Sequence, residues 1–215
     1  MNARLNDELR AAGRLMLEHE LAWGNAGNLS VRIAPERYLI TASGTRLGEL
    51  EAGDLVECTI GAPYSGTRRP SKERPMHEAV YGTRPEIQAV LHASPFWSTA
   101  AACSDLELRS DLFVEAMYYL ERVARVPYFH PGSNELGAAV RRQARAANVL
   151  LLENHGVLVF DVSIAEALMA LQTLELSCRM LLTAHGAGLE LRGIAPATVE
   201  DFLLRAGYKP RREWG

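Results

Sequence analysis

The chain has 215 residues, 48% hydrophobic and 23% charged, with a formal net charge of −3. That profile fits one soluble α/β domain over residues 1–215, large enough to bury a core without disulfides or a structural metal. It excludes a nucleic-acid partner, since the basic clusters Arg68-Arg69, Arg141-Arg142 and Arg211-Arg212 are too short, and a membrane, since no apolar run approaches a span.

The N-terminus, MNARLNDELRAAGRLM, is charged and amphipathic and lacks the apolar stretch of a secretion signal. Apolar residues at Leu5, Leu9, Ala12, Met16 and Leu17 predict a helix within 4–22, ended before Gly24. Alternating Leu29, Val31 and Ile33 predict a strand, RYLITASG a second and DLVECTI a third, closed by Gly61. The polar loop GAPYSGTRRPSKERP follows, and Pro75 at a first helical position opens a short helix through Tyr81. A strand over 87–92, a helix near 96–103 and a helix over 110–123 come next. VPYFHPGS reads as loop, and Ser133 as the cap of a helix beginning NELGAAV. NVLLLENHGVLVF is two strand halves around a tight Asn154-His155-Gly156 turn, and Ser163 with Glu166 makes a capping box for a helix to about His185. This order is not the strict βαβα rhythm of a doubly wound parallel sheet, so the reading is an α/β sandwich with a mixed, mainly antiparallel sheet.

Cys58, Cys103 and Cys178 are odd in number and widely spaced, which points to reduced thiols in a cytoplasmic protein. The turns AGNLS (26–30) and TASG (41–44) offer backbone N–H groups for an anion. RPSKERP (69–75) adds Ser71, Lys72 and Glu73 ahead of a helix N-terminus, an anion-favouring position. His92 and His155 each end an apolar strand at a turn, so as sheet neighbours they could supply two ligands to zinc. His19, His130 and His185 have ordinary surface, loop and helix-end settings, while His77 lies four residues beyond Glu73 on the next helix.

The segments NAGNLSVR, TASG, RPSKE followed by His77, the strand-end His92, and ENHG stand in the order and spacing of the class II aldolase/adducin family. Over about residues 5–185 the chain resembles the sugar-phosphate aldolases and epimerases of that family. The resemblance implies a three-layer α/β/α sandwich and a homotetramer with active sites between subunits. It also implies a divalent metal, usually zinc, with His92 and His155 as ligands and Glu73 as acid/base. Asn28, Ser43, Gly44 and Ser71 would contact a substrate phosphate, with Lys72 adding positive charge. The implied partner is a small phosphorylated or carboxylated molecule. The implied reaction is metal-dependent aldol cleavage of a small phosphorylated sugar or related hydroxy-carbonyl compound through an enediolate. Epimerisation, dehydration or decarboxylation on the same site is the second reading, and a non-catalytic adducin-like module the third.

Three positions depart from the family pattern. Ser94 stands where the second histidine of an HxH motif is expected, leaving the ligand tripod incomplete unless Glu73, a water or another side chain joins it. Lys72 replaces a small hydroxyl residue. Phe113 occupies the place of a proton-donor tyrosine, with Tyr118 and Tyr119 close by.

Overall fold

The structure, a computed structural model, describes residues 2–212 and 214. Helix α1 (Asn2–Glu18) buries Leu9, Ala12 and Met16, and the chain leaves it through Glu20 in a left-handed conformation at φ 57°. Strands β1 (Asn28–Ala34), β2 (Arg37–Thr41) and β3 (Leu55–Thr59) form an antiparallel meander. Helix α2 (Arg74–Tyr81) starts with Glu73 at its N-cap and Pro75 in its first turn, where the missing proline N–H costs nothing. Strand β4 (Ala89–Ala93) then runs back beside β1.

Helices α3 (Phe96–Ala102) and α4 (Val114–Tyr119) precede strand β5 (Val123–Val126) and helix α5 (Asn134–Gln143), which Ser133 caps by accepting the Leu136 N–H at 3.1 Å. Strands β6 (Val149–Leu152) and β7 (Gly156–Asp161) form a hairpin whose turn includes Asn154 at φ 54°. The chain then enters the long helix α6 (Ile164–Gly186) and helix α7 (Pro196–Arg205). No described helix is long and apolar enough to cross a membrane.

The seven strands lie in the order β3-β2-β1-β4-β7-β6-β5, antiparallel at every step except β5 beside β6. Strand side chains alternate between faces. Leu29, Val31, Leu91, Val157 and Val159 join one apolar layer with residues of α1, α3, α4 and α6. Tyr38, Ile40, Val90, Leu150, Leu158 and Phe160 join another with α2 and α5. The result is a three-layer α/β/α sandwich with a mixed, largely antiparallel sheet, as expected.

Three local expectations are corrected. The expected helix over 110–123 is only Val114–Tyr119, while Val123 at its expected end and Val126 at the start of the expected loop belong to β5. Four residues carrying Arg125 show no period, and this strand exists because it can pair with β6, some 26 positions on. The capping box at α6 is half made. Ser163 accepts the Glu166 N–H at 3.1 Å, but the Glu166 carboxylate takes the Tyr119 hydroxyl at 3.0 Å and the Lys209 ammonium at 2.6 Å. Helix α7 and the following tail lie beyond the elements expected from sequence. The tail is tied down by an ion pair between Arg212 and Asp161, both nearly buried, and by the Tyr118 hydroxyl donating to Pro210 O at 2.9 Å.

Candidate metal centre and active site

Register alone brings the site together. Asn28 opens β1 opposite His92 on β4, and the next strand over, β7, begins at Gly156 immediately after His155. All three residues therefore collect at one end of the central strands. Leu91 and Ala93 pack into the α1/α6 layer, so alternation turns His92 towards α2, whose N-cap is Glu73. The loop Ser71–Glu73 is held to the end of β2 because the Ser71 N–H donates to Thr41 O at 3.0 Å.

Glu73, His92 and His155 converge so that one ligand atom from each lies within 4.8 Å of the others. Glu73 Oε2 is 3.2 Å from His92 Nε2, and Oε1 is 3.1 Å from His155 Nε2. The two imidazole centroids are 4.8 Å apart. Glu73 and His92 are buried at 6% and 2% exposure, while His155 is partly open to solvent. Burial by itself would raise the Glu73 carboxyl. The approach of His155, the nearness of the His92 ring and the Asn28 amide, which donates to Oε2 at 2.7 Å, outweigh it and hold the group down to about 2. Burial, helped by His155 and opposed by Glu73, pushes the His92 imidazole below its usual range.

These residues fit a divalent cation. His92 Nδ1 sits 3.0 Å from Val157 O, and a carbonyl only accepts, so Nδ1 carries the ring hydrogen. The neutral His92 ring therefore turns a lone pair at Nε2 towards the Glu73 carboxylate. Two acceptors at that distance repel unless a positive charge lies between them. Glu73 Oε1 is also buried without a hydrogen-bond partner among the described residues. Two imidazoles and a carboxylate are a donor set of the kind that holds a catalytic divalent metal.

Ser94, in the place of the expected second histidine, does not join this set. Its hydroxyl donates to His155 O at 3.1 Å, and its own carbonyl accepts the Trp23 indole N–H at 3.0 Å, so it braces the turn that carries His155. Glu73 offers the third possible ligand atom instead. Two glycines permit the close packing here. A Cβ on Gly27 (φ 91°) would lie 2.7 Å from His92 O, and one on Gly156 (φ 142°) would lie 2.5 Å from Ala93 O.

The two loops read as anion-binding are neighbours. The Ser43 N–H donates to Arg69 O at 2.9 Å, which with the Ser71–Thr41 bond pins them together. Those amides are spent, whereas the N–H groups of Gly44 and Lys72 have no protein acceptor among the described residues. Ser43, Gly44 and Lys72 are exposed, and Ser71 is buried with its oxygen accepting the Glu73 N–H at 3.2 Å. The Asn28 side chain faces inward: its amide nitrogen serves Glu73, and its oxygen lies 2.5 Å from His77 Nε2. Phe113 is partly buried against the core, and Tyr118 and Tyr119 spend their hydroxyls on Pro210 O and Glu166.

Sequence reasoning missed what stands behind Glu73. Ser30 Oγ lies 2.6 Å from His77 Nδ1 and 2.7 Å from the Tyr81 hydroxyl, all fully or nearly fully buried. A signal was present. Asn28, Ser30 and Arg32 fill alternate positions of β1, and Glu73, His77 and Tyr81 recur at helical spacing. Together they form a polar face between a strand and a helix rather than two solvated ones.

The chain is 32% identical to a 3-oxo-tetronate 4-phosphate decarboxylase of Haemophilus influenzae, over 90% of this chain and 93% of that one. Its structure is similar to that of YgbL from Klebsiella pneumoniae, described as an aldolase/epimerase/decarboxylase. There the TM-score is 0.83 at 30% identity, covering 94% and 99% of the two chains. It is also similar to L-fuculose-1-phosphate aldolase of Thermus thermophilus, with a TM-score of 0.77 at 29% identity over 86% and 96%. With residues 7–182 matching the Class II Aldolase and Adducin N-terminal domain, and with the sandwich and the Glu73–His92–His155 cluster, the chain belongs to the class II aldolase/adducin family.

Proposed function

We propose that the protein is a divalent-metal-dependent decarboxylase of a short 3-oxo sugar-acid phosphate, working through an enediolate. The observation that carries the metal-enzyme reading is the convergence of Glu73, His92 and His155 with acceptor atoms facing one another. Among the reactions such a site can run, the 32% identity with a 3-oxo-tetronate 4-phosphate decarboxylase favours loss of carbon dioxide over the aldol cleavage expected first.

In the proposed reaction the bond between the carboxylate carbon and C2 breaks. Its electron pair forms the C2–C3 double bond as the C3 oxygen takes the negative charge, and C2 is then protonated. The cation, proposed to be zinc, supplies a Lewis acid for that charge. His92 and His155 would hold it as neutral donors and Glu73 would complete the set, its carboxylate becoming free to relay a solvent proton to C2 once substrate displaces it from the cation. The Gly44 and Lys72 amides, the Ser43 and Ser71 hydroxyls and the Lys72 ammonium are proposed to hold the phosphate, fixing the reacting carbons near the cluster. Asn28, first read as a phosphate contact, is proposed to orient Glu73.

Aldol cleavage is the second reading, favoured by Glu73 being held as a carboxylate and hence a base. A homotetramer in the cytoplasm is proposed as the working form. It is supported by Trp23 and Phe96, exposed at 63% and 70% beside the Ser94 turn, and by free cysteines at Cys58, Cys103 and Cys178. The deciding experiment supplies the zinc-loaded protein with 3-oxo-tetronate 4-phosphate or with L-fuculose 1-phosphate. Chelator-sensitive release of carbon dioxide from the first is expected. Aldehyde from the second, without carbon dioxide from the first, establishes the aldolase instead.

A further inference from the structure

Behind the Glu73 carboxylate runs an unbroken buried file of polar side chains. Tyr81 Oη is 2.7 Å from Ser30 Oγ, which is 2.6 Å from His77 Nδ1. His77 Nε2 is 2.5 Å from Asn28 Oδ1, and Asn28 Nδ2 is 2.7 Å from Glu73 Oε2. None of the five residues is more than 6% exposed, so water does not compete for these bonds.

The direction of every bond follows from the anion at the end. A carboxylate only accepts, so Asn28 must present its NH₂ to Glu73 and its oxygen to His77. That oxygen only accepts, so His77 Nε2 carries the ring hydrogen. Burial keeps the imidazole neutral, leaving Nδ1 to accept the Ser30 hydroxyl, whose oxygen in turn accepts from Tyr81. All donors point towards Glu73. At the far end the Arg32 guanidinium lies 4.7 Å over the Tyr81 ring and donates to the carbonyls of Ile87, Pro35, Tyr81 and Arg84. The file thus runs from a buried cation to a buried anion, with its hydrogen-bond dipoles aligned between them.

We propose that His77, backed by Ser30 and Tyr81, is a positioning residue that acts on Glu73 through Asn28, whose bond to Oε2 fixes the orientation in which the carboxylate faces His92 and His155. The proposal rests on the reading of Glu73, His92 and His155 as a metal site. His77 touches neither the cluster nor a substrate. Its contribution is a single tautomer that holds the Asn28 amide in one orientation.

The test combines a tautomer measurement with zinc affinity. Long-range ¹H–¹⁵N spectra of the wild type are expected to show His77 neutral with its hydrogen on Nε2. A hydrogen on Nδ1 overturns the proposal. In competition with a chelator, His77→Leu is expected to lose about 10–100-fold in zinc affinity, the usual range for outer partners of metal ligands. His77→Gln, whose amide nitrogen can keep the bond to Asn28, is expected to recover most of that loss. Equal losses in the two variants, or no loss in either, overturn the idea. Should His77→Leu fail to fold by circular dichroism, Ser30→Ala and Tyr81→Phe replace it, with smaller losses expected in that order and wild-type affinity in both overturning the proposal. If the wild type binds no zinc, the metal reading fails and the His77 spectrum alone decides the file.

Discussion

Asn28 and His92 face each other across β1 and β4, and the side chain of Asn28 also donates to Glu73 at 2.7 Å. One backbone register thus places an imidazole of the candidate metal cluster beside the amide that bonds the neighbouring carboxylate. A slip by one residue would turn both side chains to the opposite face of the sheet. The site is as stable as the pairing of its central strands.

Metal binding is the first consequence. His155→Ala is expected to lower zinc affinity by more than the 10–100-fold typical of an outer partner, because a ligand itself is lost. Ser94→His is expected to raise it, since alternation puts position 94 on the same side of the chain as His92. Elemental analysis and chelator competition measure both, and a wild type that takes up no zinc in excess metal defeats the metal-enzyme reading.

Stability of the metal-free protein should fall in acid in a defined window. Burial holds His77 down to about 3, and the unfolded chain binds its proton near the ordinary value of 6.5. A depressed folded value gives stability that is complete above the unfolded value and lost as pH falls towards the folded one. Between pH 6.5 and about 3, His77 should contribute a slope of roughly 1.4 kcal/mol per pH unit. His92 and Glu73, also held low, act in the same direction. Urea unfolding in chelator across this range should be visibly flatter for His77→Gln.

Lys72 is exposed on the loop pinned to the Ser43-Gly44 turn, so its charge should act through solvent. Lys72→Ala is expected to weaken competitive binding of a sugar phosphate several-fold at low salt and much less near 1 M, where the screening length is about 3 Å. A loss independent of salt, or none at all, counts against the phosphate pocket.

The tail should matter for stability more than its position suggests. Arg212 and Asp161 pair at 7% and 4% side-chain exposure, and Arg212 also donates to Tyr118 O at 2.7 Å. Arg212→Met leaves a buried carboxylate unpaired and is expected to cost about 3–5 kcal/mol in urea unfolding. Adding Asp161→Asn should recover part of that. Additive losses would show that the two side chains act separately.

Assembly is tested directly by sedimentation. A tetramer is expected at micromolar concentration, and a species near the 23.7 kDa chain mass removes the proposed shared site.

What could be read from the sequence was whatever is encoded over a few neighbouring residues. The helix caps at Ser133 and Ser163, the proline entry to α2, the apolar alternation of β1 and the Asn154-His155-Gly156 turn are all local signals. So was the ordered set of segments from NAGNLSVR to ENHG that placed Glu73, His92 and His155 as candidates. The tertiary structure decided what depends on distant partners. Strand β5 is too short to be seen without β6, and Glu166 gives up its capping role because Tyr119 and Lys209 reach it from elsewhere. Ser94 spends its hydroxyl on the His155 carbonyl, and of the completing groups open to the sequence it is Glu73 that lies beside the two imidazoles. Asn28 is expected from sequence at a phosphate and His77 stands out only by its spacing from Glu73, and nothing local links either to Ser30 or Tyr81. Packing α2 onto β1 excludes water from them, and buried polar groups must then bond to one another.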